Sequence, residues 1–289
     1  MFDVDAYLDH IGWSGQPPTP DLDTLRTLHK KHLMAVPYNV EGQGFDDGVH
    51  FVEVDEDETF RTVVAAGLGG TCFQLNRLFF RLLSELGYEV SLLAASTAEG
   101  RENFGTEIEH MLIRAVVDGE EWLVDVGYPG PSFLEPLRVG DEVQTQYGCQ
   151  YRLVRENGTN DTGDTNDTGG TADATGPDGQ DDRPIALQRR GRVTRWGTVY
   201  TLRLRARQWH DWKELEDRAR ANHATASNDD GQGTLCGRTF DNGQVVLKGR
   251  RHLVVRDGRE RVRTVVDDEE HRGLVTAILT GDLDTARPA

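Results

Sequence analysis

The spacing of hydrophobic positions changes along the chain. Over residues 1–90 it is helical: Leu22 and Leu25 are followed by Leu28, His32 and Leu33, and Pro17, Pro18 and Pro20 punctuate the entry. A second helical stripe carries Leu75, Leu78, Phe79, Leu82, Leu83 and Leu86, with Gly87 as its stop. From about 91 to 155 the pattern becomes short alternating or apolar runs, such as 90–95 and 111–117, bounded by Gly and Asp; this predicts sheet. Strand-like spacing returns over 192–204, a helix is predicted over 209–221, a strand pair flanks Asp241-Asn242-Gly243, and a terminal helix lies near 274–283. Between these elements, residues 156–183 hold no Val, Ile, Leu, Met, Phe, Trp or Tyr and carry eight acids against one Arg. Such a stretch cannot offset the entropy of ordering, so it reads as a disordered acidic loop. No internal repeat interrupts the order.

Composition narrows the class. A length of 289 residues leads to an expectation of two domains, or one large core with an appendage. With 37% hydrophobic and 28% charged residues the chain is polar for a globular protein but well outside the disordered class. Asp plus Glu number 49 against 32 Lys plus Arg, a formal charge of -17, which repels phosphate backbones and anionic lipid and argues against nucleic-acid or membrane partners. Lys occurs only at 30, 31, 213 and 248. Excess acid with so little Lys suggests a halophilic protein of a salt-rich cytosol. No apolar run approaches the roughly 18 residues needed to span a bilayer, and residues 1–10 lack the basic and apolar regions of a signal peptide. Cys72, Cys149 and Cys236 are odd in number and far apart, so a disulfide framework is not expected and a reduced cytoplasm fits. In that setting the sequons at Asn157, Asn160 and Asn166 read as products of a Thr-rich, Asn-rich tract.

The densest chemistry lies in Gly69-Gly70-Thr71-Cys72-Phe73-Gln74-Leu75-Asn76. Thr71 and Gln74 have the spacing of a capping box, which makes Cys72 the first helical residue. There the free amides and the positive end of the helix dipole favour a thiolate. The paired glycines allow a sharp turn and close approach of a substrate. A small buried Cys with turn-forming glycines accounts for the same residues without chemistry, and that reading stays open here.

A thiolate nucleophile needs a base, and the base an orienting partner. Residues 108–117 and 121–127 flank Asp118-Gly119, a type I′ hairpin signal. A two-residue loop sets Val117 opposite Glu120, Leu112 opposite Asp125 and His110 opposite Gly127, so His110 and Asp125 share a face as diagonal neighbours, α-carbons about 7 to 8 Å apart. The other face carries Met111, Ile113, Ala115, Val117, Trp122, Val124 and Val126 and is predicted core; a three-residue loop would reverse the parity. Asp125, set among apolar neighbours, requires a hydrogen-bonded partner, and His110 is the nearest candidate. Cys72, His110 and Asp125 thus form a predicted triad of nucleophile, general base and orienter.

These residues resemble the arylamine N-acetyltransferases. The family signature is similar to Gly69-Gly70, Cys72, Phe73 and Asn76, and its triad segments to His110-Met111-Leu112-Ile113 and Val124-Asp125-Val126-Gly127-Tyr128. Val36-Pro37-Tyr38-Asn39 resembles the family's upstream Pro-aromatic segment, and Asn222 with Ser227 resembles, weakly, a stretch of its lid. The resemblance implies an α+β fold with a cysteine-protease-like catalytic core: an N-terminal helical domain over 1–90, a β-barrel over 91–205 with the acidic insertion 156–183, and an α/β lid over 206–289. It implies acetyl-CoA as co-substrate, an arylamine, hydrazine or related amine as acceptor, no metal, and a ping-pong route through an acetyl-cysteine. Gly70, Thr71 and Cys72 are then candidate backbone support for an oxyanion, and Tyr38, Phe73 and Tyr128 candidate substrate contacts. Leu68 stands where the family usually has Arg. Glu107 and Glu109 precede the His where the family tends to be small or hydroxylic, and acids facing a CoA channel would repel its phosphates. Two other readings share the triad: a transglutaminase-like cysteine hydrolase or amidase, and a catalytically silent member of the fold.

The remaining candidates are weaker. His210 and His223 lack zinc spacing and read as solvated surface. His29 and His32, flanking Lys30 and Lys31, read as a solvated helix face. Gly127-Tyr128-Pro129-Gly130-Pro131 is rigid turn chemistry for a pocket mouth, Cys149 and Cys236 read as structural, and the acid run 53–58 as a solvated loop.

Overall fold

The computed structural model describes residues 1–40, 52, 54–97, 105–155, 182–225 and 233–286. The acidic stretch expected as a disordered loop falls outside these residues but for its last two, as do Glu53, Ser227 and the side chains of Asn222 and His223.

The N-terminal part is helical: α1 (Val4–His10), α2 (Leu22–Ala35), α3 (Glu56–Thr59) continuing into a π-helical turn (Phe60–Ala65), and α4 (Cys72–Glu85), with the two-residue strand β1 (Tyr38–Asn39) between α2 and α3. Asp3, Asp21 and Asp55 cap the first three helices by accepting backbone N–H groups. Within the acid run expected as a loop, Asp55 caps α3 and Glu56, Asp57 and Glu58 form its first turn, and Glu56 binds Arg77 at 2.8 Å and Arg81 at 2.9 Å on α4. Two basic partners one turn apart on α4 explain why acids order here.

An eight-stranded antiparallel sheet follows. Its strands are β2 (Glu89–Thr97), β3 (His110–Val117), β4 (Glu120–Val124), β5 (Leu137–Arg138), β6 (Gln144–Gln146), β7 (Cys149–Arg155), β8 (Ile185–Arg190) and β9 (Gly197–Leu202), in the order β5-β4-β3-β2-β9-β8-β7-β6. The sheet curls until its two end strands meet. Amide side chains close the gap: Gln144 accepts from Arg138 N–H (2.9 Å) and donates to its carbonyl (2.8 Å), while Gln146 accepts from Leu134 and Glu135 N–H (both 3.1 Å) and donates to Glu135 O (2.8 Å). Each glutamine amide serves as a substitute peptide unit for a barrel edge.

The last part is a five-stranded sheet, ordered β1-β10-β11-β12-β13, made of β10 (Leu235–Phe240), β11 (Gly243–Lys248), β12 (Arg251–Arg256), β13 (Arg259–Thr264) and the edge strand β1. A 3-10 turn (Trp209–Trp212) and α5 (Lys213–Thr225) precede it, and α6 (Asp268–Thr280) and α7 (Leu283–Ala286) follow. Leu274, Ala277 and Ile278 of α6 pack on Val245, Leu247 and Val254 to give this α/β lid its own core. The chain therefore has the expected α+β architecture, with helices, a nearly closed barrel and an α/β lid in sequence. Three details differ from expectation. β8 lies outside the expected strand run, the hairpin β12-β13 at Asp257-Gly258 was not read, and the last long helix starts at Asp268, where Asp267 caps it, rather than near 274.

The packing that matters for the site is α4 against β3 and β4. Leu75, Leu78, Phe79, Leu82 and Leu83 are fully buried and share one core with Ile113, Ala115, Val117, Trp122, Val124 and Val126. This is the hairpin face read as apolar, less Met111, which joins Cys72, Phe73 and Trp212 in a smaller cluster at the tip of α4.

Candidate active site

Cys72 is the first residue of α4, as the capping box requires: the Thr71 N–H donates to Gln74 Oε1 at 3.0 Å, and the Thr71 hydroxyl bonds the same oxygen. The turn before it is fixed from the side. Gly70 pairs in parallel with Tyr38, Asn39 N–H donates to Gly70 O (3.0 Å), and Gly70 N–H donates to Pro37 O (3.3 Å). Gly69 adopts φ +74, and a Cβ there would lie 2.2 Å from Pro37 O, so the residue must be glycine. Because Tyr38 also pairs with Gly237 of β10, the loop before the nucleophile helix is stitched to the lid sheet.

The hairpin forms in the expected register. Val117 faces Glu120 across Asp118 (φ 53) and Gly119 (φ 78), both left-handed as a type I′ turn demands. His110 Nε2 lies 2.8 Å from Asp125 Oδ2, and the Cys72 thiol is near enough to the imidazole to add to its proton affinity. All three residues are buried. Burial alone would push the His110 ring down, but the Asp125 charge and hydrogen bond, with the Cys72 contact, outweigh it and push it up to about 10. For Asp125 burial acts to raise, yet His110, Asn76 and the Gly127 N–H hold the carboxyl below its ordinary range. The pairing therefore favours the protonated imidazole.

Asn76, one turn after Cys72, holds this arrangement. Its Nδ2 donates to Met111 O (2.7 Å) and Asp125 Oδ1 (3.1 Å), and its Oδ1 accepts Val126 N–H (3.0 Å). The Gly127 N–H donates to Asp125 Oδ1 at 3.0 Å, and a Cβ on Gly127 would come within 2.7 Å of both Asn76 Nδ2 and Cys72 Cα. The tip of α4 and the segment after β4 that carries Asp125 touch through that missing side chain.

The other expected residues fall around this centre. The Tyr128 ring packs edge-on against His110, centroids 5.5 Å apart, and its hydroxyl donates to Val199 O (3.1 Å). Phe73 is buried beside Cys72, while half-buried Tyr38 lines a crevice with Tyr128, Val126 and Thr239. The N–H groups of Gly70 and Thr71 donate to Pro37 O and Gln74, and the Cys72 N–H opens α4, outside the intrahelical ladder. Glu107 pairs with Arg207 and with Arg203 (3.6 Å), and Glu109 accepts from the Thr97 hydroxyl (3.2 Å), so neither acid stands as an isolated charge. Leu68 is 47% exposed. Among the described residues, no cluster of His, Cys, Asp or Glu is placed to hold a metal ion, and no helix is long and apolar enough to cross a membrane.

One reading is overturned. His29 and His32, expected on a solvated face, are fully buried: His32 Nδ1 lies 2.8 Å from the Tyr7 hydroxyl, and His29 lies against the backbone of Asp125. The spacing was legible, since His29 and His32 extend the Leu25 and Leu28 stripe of α2, but nothing local marks their buried partners.

Comparison with known proteins gives the family. A family model described as N-acetyltransferase matches residues 21–286. The proansamycin X synthase of Amycolatopsis mediterranei is 52% identical over 282 residues, 98% of each chain. The arylamine N-acetyltransferase of Escherichia coli is 33% identical over 155 residues, 53% of each chain. Among solved structures, the arylamine N-acetyltransferase of Nocardia farcinica has a TM-score of 0.73 at 23% identity, covering 100% of this chain and 94% of that one. That of Mycobacterium marinum in complex with CoA has a TM-score of 0.70 at 21% identity, covering 97% and 94%. The chain belongs to the arylamine N-acetyltransferase family of acyltransferases.

Proposed function

We propose that the chain is an acetyl-CoA-dependent N-acetyltransferase for arylamines, hydrazines or related amines, working by a ping-pong mechanism through an acetylated Cys72. One observation carries the reading: Cys72 opens α4 beside His110, whose Nε2 is 2.8 Å from the buried Asp125. In the first half-reaction the Cys72 thiolate attacks the thioester carbonyl, the carbon–sulfur bond to CoA breaks, and the departing CoA sulfur takes the proton from His110. In the second, the amine nitrogen attacks the acetyl-cysteine, His110 accepts the amine proton, and Cys72 leaves as thiolate. Asp125 holds the imidazole in its orientation throughout. The Cys72 N–H is the candidate oxyanion donor. Tyr128 and Phe73, which pack on His110 and beside Cys72, are the candidate substrate contacts, with Tyr38 at the neighbouring crevice. Arg203 and Arg207, beside Glu107, offset the repulsion that acid would offer to CoA phosphates.

A second reading has one specific support. The 52% identical relative is named for making proansamycin X, so the same thioester chemistry here would serve a biosynthetic acyl group in place of acetyl. Intact-mass measurement separates the two. Acetyl-CoA should add one acetyl group to the wild type and none to Cys72→Ala, and an arylamine should remove it as the N-acetyl product. No gain from acetyl-CoA, with a gain from a longer acyl thioester, would transfer the assignment to the second reading. No gain from either would leave a silent member of the fold.

A further inference from the structure

The β3-β4 ladder ends at the pair Ile113–Val124, so Asp125 leaves the sheet one residue before its carboxylate meets His110. Its backbone is held instead by a side chain from α2. The Asp125 N–H donates to His29 Nε2 at 3.2 Å, and His29 Nδ1 lies 2.9 Å from Leu134 O. Nε2 also lies 3.1 Å from Asp125 O, so two carbonyls compete for the ring proton; on a neutral ring only the Nδ1–H tautomer serves both Leu134 O and the Asp125 N–H, with Nε2 as the acceptor. Burial pushes the His29 ring down in its affinity for a second proton, more than the Leu134 carbonyl and Asp125 push it up. The ring is also locked in angle, stacked on Phe133 at 5.6 Å and edge-on to Phe79 at 6.3 Å. A second proton would sit on Nε2 and serve Asp125 O, already 3.1 Å away, and the Asp125 N–H would lose its acceptor. The neutral ring thus does for Asp125 what a neighbouring strand does for an interior residue.

We propose that His29 is a positioning residue for the triad: by anchoring the Asp125 backbone to α2 and to Leu134, it sets the angle at which the carboxylate grips His110. The proposal rests on the reading of Cys72, His110 and Asp125 as a triad. It does not depend on which acyl group is carried.

The test compares His29→Phe, which keeps the ring and its stacking but loses both nitrogens, with His29→Gln, whose amide again offers one donor and one acceptor. Two readouts need no acyl donor: the rate at which iodoacetamide alkylates Cys72 at pH 6, and the titration of the His110 C2 proton by NMR. In His29→Phe the His110 titration should move to lower pH and alkylation should slow about tenfold, the effect of one unit of proton affinity. His29→Gln should recover most of both. Val265→Ala, a cavity in the lid core, controls for lost stability and should move neither. Wild-type titration and alkylation in His29→Phe would overturn the proposal, as would an equal change in Val265→Ala. Should His29→Phe not fold, His29→Asn, whose shorter amide reaches only one partner, is read in its place against the same wild-type values. Failure of the triad reading looks different: Cys72 in the wild type would then alkylate no faster than Cys149 and Cys236.

Discussion

Asp125 is a buried carboxylate in a wall of Val and Leu, and its neighbours decide whether that is stable. His110, Asn76 and the Gly127 N–H satisfy its oxygens, so removing one partner leaves the others facing an uncompensated charge. Asn76→Leu, which also strands Met111 O and Val126 N–H, should lower stability by about 3 to 5 kcal/mol in urea unfolding and abolish Cys72 acylation. Gly127→Ala should fail differently: the added methyl must push the tip of α4 from the strand, and small-to-large strain of this kind costs about 1 to 3 kcal/mol while uncoupling Cys72 from His110. The pH dependence has a fixed sign. The raised His110 contributes stability fully below its ordinary 6.5 and loses it as pH rises through about 10. The lowered Asp125 contributes above its ordinary 3.8 and loses it as pH falls through its lower folded value. The melting-temperature difference between wild type and Asp125→Asn should therefore be largest between about pH 4 and 6.5 and shrink steadily toward pH 10. A difference that grows with pH in that range would contradict the pairing.

Whether an element is legible in the sequence depends on where its deciding contact lies. The Asp118-Gly119 turn fixes a register by itself, so the shared face of His110 and Asp125 follows from counting, and the Thr71-Gln74 box fixes where α4 begins. β8 has no such marker, because its pairing to β7 bridges the long acidic stretch. The burial of His29 is illegible for a related reason: its partners at 125 and 134 lie about a hundred residues away, and beside Lys30 and Lys31 an imidazole looks solvated. The barrel closure is equally silent, since a glutamine that replaces a peptide unit has no sequence signature. It is testable at its own scale. Gln146→Leu removes three bonds to the segment at 134–135 and should cost about 2 to 4 kcal/mol, with faster amide exchange confined to residues 134–138 and 144–146. The same tie appears between elements at Arg238, which donates to Met34 O near the end of α2 (3.3 Å) and to Leu279 O near the end of α6 (2.6 Å). One guanidinium caps two helix dipoles, joining the lid to the helical part, so Arg238→Met should loosen the lid by about 1 to 3 kcal/mol.

At the scale of the whole molecule, the net charge of -17 sets a condition on all of these contacts. The ion pairs on the surface, such as Arg138 with Glu120 and Glu142 or Lys213 with Asp217, are exposed and weak, and salt weakens them further. The uncompensated excess of acid acts the other way, since every surplus carboxylate repels the rest in the compact state and salt relieves that repulsion. The two effects differ in growth: pair energies add one by one, whereas self-repulsion rises with the square of the net charge. Excess acid should therefore prevail, and screening tightens from about 10 Å at 0.1 M salt to about 3 Å at 1 M. The expected outcome is a melting temperature that rises from low to molar KCl. Between pH 7 and pH 5, where protonation begins to neutralise exposed carboxylates, the gain from salt should shrink, because the charge it screens is smaller. Because the buried His110–Asp125 pair is shielded from the ions, the difference between wild type and Asp125→Asn should stay nearly constant across the same salt range. A melting temperature indifferent to KCl would leave the acid excess without a role in stability and remove the halophilic reading.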